Sequence, residues 1–181
     1  MSRGAGRLAD MARPNSTVVV LAGTGSEAVL AYLDGLANVH VAQSGEPAAL
    51  ASPAAYVLHG ADPLAAVGAA WAAFFDRTTE PGTLEVAIET ALTGLRSGTA
   101  LLPDYYLVLD PEALPPTGKH WWLGVLAAAA PSRVVPVAAK ASAVRDALPR
   151  LPSGRWWPDD TDAWLRDLVR VVPDQVGLPR S

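Results

Sequence analysis

The chain has 181 residues, of which 50% are hydrophobic, 18% are charged and none is cysteine. That length suits one domain, and that composition excludes a disordered or fibrous chain. Without thiols there are no disulfides, no thiolate metal site and no cysteine nucleophile; a net charge of -4 argues against a nucleic-acid binder, which needs a basic face.

The first fourteen residues carry Arg3, Arg7 and Arg13 against Asp10. They read as a flexible arm, with residues 15–181 as a single domain. No apolar run reaches the roughly 18 residues of a membrane span. No signal-peptide core follows the arm, so a cytoplasmic protein without membrane contact is expected. Scarce lysine beside abundant Ala, Arg, Gly and Pro suggests a bacterial origin.

The first strand is Thr17 to Leu21, a continuous run rich in β-branched residues. It leads into Gly23-Thr24-Gly25-Ser26-Glu27-Ala28, which fits G-x-G-x-x-A at a strand-to-helix turn. Such glycines let backbone amides approach a phosphate at a helix N-terminus. Glu46 lies where a ribose-binding acid would sit. Thr24 and Glu27 also have the spacing of a capping box, which alone accounts for them. The helix continues through Val29, Leu30, Leu33 and Leu36.

Short strands are expected at Val39–Val41 and Ala55–Leu58. Asp62 then caps a helix with Pro63 in its first turn, and Leu64, Val67, Trp71, Phe74 and Phe75 form its apolar stripe. A second helix follows with Leu84, Ile88 and Leu92 inward, Glu85 and Glu89 outward, and Gly98 as its stop. The fourth strand is Tyr105–Leu109. A proline-rich loop from Asp110 to Gly118 leads to a helix from Thr117 to Ala130. In α-helical register Trp122, Val125, Leu126 and Ala129 make its inward stripe, with Trp121 off it. The fifth strand is Val134–Val137, at a sheet edge because Pro136 lacks a donor. Helices at Ser142–Leu148 and from Asp160 complete the chain.

Strands alternating with helices imply an α/β three-layer sandwich. About five mainly parallel strands carry helices on both faces, and 2-1-3-4-5 is the expected order. Ligands in such sheets bind beyond the carboxyl ends of the strands. The candidate ligand-binding residues are therefore Gly23, Thr24, Gly25 and Ser26, with His59, Asp110 and His120 at later strand and helix ends. Trp121 and Trp156, each half of an adjacent tryptophan pair, are candidate partner contacts. No catalytic set, metal site or cofactor is assigned.

Tyr105-Tyr106-Leu107-Val108-Leu109, Lys119-His120-Trp121-Trp122-Leu123-Gly124-Val125-Leu126 and Arg133-Val134-Val135-Pro136-Val137 resemble the second half of a TIR-type domain. Trp156-Trp157 adds a late aromatic pair, and the similarity spans residues 105–172. The resemblance implies a flavodoxin-like fold. The position of that family's catalytic glutamate holds Val125, which puts NAD cleavage in doubt and favours self-association.

Three functions follow as expectations. The first is a non-catalytic interaction or accessory domain of a bacterial multi-protein system, with a protein partner or a second copy of itself. The second is a nucleotide- or dinucleotide-binding protein. The third is a hydrolase or transferase using His59 or His120 with a carboxylate.

Overall fold

A computed structural model describes residues 15–152 and 157–171. The arm at residues 1–14, and Trp156, lie outside the described residues. Five parallel strands form one sheet: β1 (Thr17–Ala22), β2 (Val39–Val41), β3 (Tyr56–His59), β4 (Tyr105–Leu109) and β5 (Val134–Val137). Their order is β2-β3-β1-β4-β5.

The order corrects 2-1-3-4-5 by exchanging the first and third strands. The reason lies in the strands themselves. β1 is the longest, and five of its six residues are buried. β1, β3 and β4, the three strands with the most buried residues, take the interior positions, each with two hydrogen-bonding neighbours. β2, with three half-buried residues, and β5, with Pro136, occupy the edges. Because a flavodoxin-like sheet runs 2-1-3-4-5, the strand order lends the TIR resemblance no support.

The helices are α1 (Ser26–Leu33), α2 (Pro47–Leu50), α3 (Ala65–Phe75), α4 (Thr83–Ser97), α5 (Pro116–His120), α6 (Ala127–Ala129), α7 (Ala141–Ala147) and α8 (Thr161–Asp167). Strand side chains alternate between faces, and the two cores follow that alternation. Val19, Leu21, Leu58, Leu107 and Leu109 pack with Val29, Leu30 and Leu33 of α1 and Val144 of α7. Val20, Tyr106 and Val108 pack on the other side with α3, α4 and α8. These are the α1 face and the α3 face, and the three layers are helix, sheet and helix.

Local signals account for two helix ends directly. Gly98 is left-handed (φ 71°) and returns its N–H to Gly94 and Leu95 at the end of α4. Asp160 caps α8 by accepting from the Ala163 N–H at 2.8 Å. Two expectations need correction. The Thr24–Glu27 capping box does not form, since Gly25 is the N-cap of α1 and no side chain caps it. Asp62 precedes α3 by one turn: its Oδ1 accepts from Leu64 N–H at 2.8 Å, and Leu64 is the N-cap. The helix expected from Thr117 is one segment in three parts, with α5 and α6 joined by a π turn at Trp121–Leu126.

Candidate functional site

The strands' carboxyl ends present what the sequence nominated. β1 leaves toward the α1 face, while its neighbours β3 and β4 leave toward the α3 face. The end of β1 is therefore a topological switch point, the usual ligand position in an open parallel sheet. Gly23 turns there at φ 106°, and a Cβ on it would stand 2.8 Å from the Leu109 carbonyl of β4. Only glycine fits that approach. Gly25, at φ 85°, faces open space. Thr24 and Gly25 are exposed and Ser26 is half-buried. The Ser26 N–H reaches the Gly23 carbonyl at 3.4 Å, and Val29 N–H is bonded to Gly25 O at 3.1 Å. The first turn of α1 thus keeps its partial positive charge toward solvent with no side-chain cap. Glu27, also in that turn, is exposed.

The other nominated residues are not brought to this turn as free groups. Asp110 sits in the left-handed region (φ 39°) and its Oδ1 accepts from Ala139 N–H at 3.0 Å, tying β4 to the loop after β5. His120 closes α5, half-buried, with Nδ1 3.3 Å from the Pro116 carbonyl. Glu46 is the N-cap of α2, beyond β2 at the sheet edge. With β3 between β1 and β2, roughly 10 Å of sheet separates the ends of those two strands. A dinucleotide arrangement with Glu46 on the ribose is not built here.

His59 is 1% exposed and ends β3 on the α3 face. It shares a register row with Val20 of β1 and Tyr106 of β4. Neither ring nitrogen has a hydrogen-bond partner among the described residues. Burial pushes its pKa down to about 4, and the backbone of Ala61 opposes that weakly. The ring is therefore neutral at pH 7. Gly45 lies against it: a Cβ there would stand 3.3 Å from the His59 Cε1 and 3.0 Å from the Ala61 carbonyl.

Asp62 was missed as a partner of the fourth strand. The Tyr106 hydroxyl donates to its Oδ1 at 2.6 Å, and its Oδ2 is buried without a partner. Burial raises the Asp62 pKa, against the lowering effect of the Tyr106 and Leu64 hydrogen bonds. The Tyr106 hydroxyl is pushed well above its usual range, first by burial and then by the Asp62 charge. No sequence spacing announces this pair, because Tyr106 reads as one more apolar strand residue.

The tryptophans are also placed differently from expectation. Trp121 is 3% exposed, so it is no surface contact in this arrangement. Trp71 and Trp157 are buried, and Trp122 and Trp164 are half-buried. Trp157 is held by its Nε1–H, which donates to the Pro103 carbonyl at 2.7 Å. Among the described residues the exposed large apolar side chains are Tyr32, Phe74 and Val86. A shallow open groove of about 460 Å³ follows α4 along Glu85, Val86, Glu89, Thr90 and Thr93. Glu89 is paired with Arg166 of α8.

Among the described residues no cluster of three metal-ligating side chains occurs. No helix among them is long and apolar enough to cross a membrane. No protein-family model, curated protein or solved structure matches the chain.

Proposed function

We propose that the chain is a non-catalytic binding domain that takes a phosphate-bearing ligand of nucleotide type at the turn between β1 and α1. One observation carries this reading. Of the candidate residues the structure describes, exposed Thr24 and Gly25 and half-buried Ser26 stand at an uncapped helix N-terminus at the switch point. Asp62 is held by Tyr106, Asp110 is exposed but its Oδ1 accepts from the Ala139 N–H, and His59 is buried and neutral at pH 7. An acid–base pair acting on a substrate needs groups that can reach it. The separation from Glu46 by the width of β3 supports a mononucleotide or a simple phosphate over a dinucleotide.

The test is thermal stabilisation by ATP, GTP, NAD and inorganic phosphate. A ligand at 100 times its dissociation constant stabilises by about 2.7 kcal/mol. For a domain this size that is a rise of roughly 5–10 °C in Tm. Ser26→Glu should abolish the shift, because a carboxylate in the first turn suits the helix dipole and repels an anion. A shift that survives Ser26→Glu, or none with any of the four, overturns the reading.

A second reading, an interaction module with a protein partner or a second copy, has one observation in its favour. Val86 is 68% exposed within the α4 groove. A dimer seen by light scattering and dissolved by Val86→Lys would support it. A monomer at all concentrations would remove the self-associating form.

A further inference from the structure

Two ion pairs set the direction of α8 against α4. Arg96 pairs with Asp162, and Arg166 pairs with Glu89, its Nη2 donating to the Glu89 Oε2 at 3.1 Å. Rising numbers on α8 thus meet falling numbers on α4, and the two helices run antiparallel. From Arg166 to Val171 the chain advances about 8–10 Å, through the end of α8 and the 3₁₀ turn Leu168–Arg170. From Glu89 back to Glu85 is about 6 Å along α4. Val171 therefore comes out about level with the first turn of α4, half-buried against the α3-face core.

The shallow groove opens at that turn. Glu85, Val86, Glu89, Thr90 and Thr93 line it over about 12 Å. The buried stripe of α4 is Leu84, Ile88 and Leu92, and Val86 stands outside it, 68% exposed. The two carboxylates of the groove share one cation. Arg166 takes Glu89, and Glu85 has no ion-pair partner among the described residues. An occupant that matches this groove brings an aliphatic side chain to Val86 and one positive charge.

Residues 172–181, which lie outside the described residues, carry both. Val172-Pro173-Asp174-Gln175 has Pro and Asp at the two central positions of a reverse turn. Pro173, Gly177 and Pro179 disfavour a helix. In an extended chain Val176, Leu178 and Arg180 share one face, and Gly177 and Pro179 share the other. Val176 to Arg180 then spans about 13 Å, the length of the groove. We propose that residues 176–180 dock in the α4 groove of their own chain after a reversal at 172–175. Val176 covers Val86, and Arg180 supplies the second cation. The groove is a seat for the chain's own segment, and any partner that uses Val86 has to displace it. This docking is independent of ligand binding at the β1–α1 turn.

The sequence has no cysteine, so an introduced pair is the one disulfide that can form within a chain. In the full chain Val86→Cys is combined in turn with Val176→Cys, Gly177→Cys and Leu8→Cys, and disulfide formation is followed under mild oxidation. Val86 is exposed, so its replacement leaves the core intact. The pair at 86 and 176 should close about fivefold or more faster than the pair at 86 and 177, because neighbouring residues of an extended segment face opposite ways. The product should be a monomer, formed at a rate independent of protein concentration. Equal rates at 176 and 177 overturn the proposal, since a mere tether has no preferred face. Crosslinked dimers, formed faster at higher concentration, give the groove to a second copy and overturn it. A pair at 86 and 8 that closes faster than the pair at 86 and 176 gives the groove to residues 1–14 and overturns it too.

Discussion

The two faces of the sheet are built on different principles. On the α1 face the core is aliphatic apart from Tyr105, and two helices, α1 and α7, cover it. On the α3 face Trp71, Tyr106, Trp121 and Trp157 fill the core, with His59 and the Asp62 carboxylate buried beside the same register row. Aliphatic packing makes no polar demand on the turn above it, which Gly23 holds close against the Leu109 carbonyl. Aromatic packing with buried polar groups is specific, and each polar group there has a desolvation cost. The exposed candidate site thus belongs to the plain face, and the buried His59 ring and Asp62 carboxylate belong to the crowded one. Proximity of polar residues in a list of strand ends is therefore a poor guide to a shared site.

The largest expected effect tests the weight of the aromatic face. Trp71 is fully buried and meets both Phe75 and Trp121. Trp71→Ala should destabilise by about 3–5 kcal/mol in denaturant titrations. Tyr32, 77% exposed on α1, is the contrast, and Tyr32→Ala should stay within about 0.5 kcal/mol. Similar losses at both positions would erase the distinction between the faces.

The buried histidine should make the crowded face pH-sensitive. Its folded pKa of about 4 lies below the ordinary 6.5. The unfolded chain binds the proton more readily, so stability falls as pH drops from about 6.5 toward 4. Between pH 7 and pH 5 the loss from this group is about 2 kcal/mol. Asp62 acts in the opposite sense: its raised pKa means that its burial costs stability above the unfolded value of 3.8 and that protonation relieves it. His59→Leu removes the first contribution and leaves the second. The variant should lose about 2 kcal/mol less than the parent between those two pH values. Parallel pH profiles would show that His59 is not buried uncharged.

A smaller effect belongs to the Tyr106–Asp62 bond. Tyr106→Phe deletes one donor to Asp62 Oδ1 and leaves the Leu64 N–H in place. The expected loss is about 1 kcal/mol near neutral pH. It should shrink in acid, because without that hydrogen bond the Asp62 pKa rises further and the neutral carboxyl needs the donor less. A loss independent of pH would point to ring packing instead.

Much of the fold was legible in the sequence, and the reasons are specific. Val39–Val41, Tyr105–Leu109 and Val134–Val137 stand where their β-branched and aromatic runs lie, and Tyr105–Leu109 is buried along its whole length, as that composition requires. Gly98 and Asp160 end and begin helices through local hydrogen bonds that depend on neighbours a few residues away. The strand order was not legible. It depends on which apolar run wins the centre, and that is a competition among distant segments. Trp121 was misplaced for a related reason: the α period predicts Trp122 inward, and a glycine more than fifty residues earlier overrides it. At the candidate site the Gly23-Thr24-Gly25 turn was legible from its spacing. The engagement of Asp110 by Ala139, and of Asp62 by Tyr106, was not, since both partners lie far off in sequence.

The smallest expected effect separates fold from function at the turn on the plain face. Ser26 is the first residue of α1 and makes no cap. A glutamate there meets the positive end of the helix dipole, so Ser26→Glu should raise stability by about 0.3–1 kcal/mol at low ionic strength, and less in salt. The same carboxylate would occupy the field that a phosphate needs. A protein made slightly more stable yet unresponsive to nucleotide and phosphate localises the ligand to this helix end. One made less stable would mean that Ser26 does structural work hidden from the static contacts, and the loss of binding would then be a loss of the turn itself. Glu27, exposed one residue on, already takes part of the dipole's favour. Glu27→Gln should therefore act in reverse, costing a few tenths of a kcal/mol and tightening the anion. Opposite signs in stability and affinity at both positions are what an electrostatic site requires, and a purely structural turn has no reason to produce them.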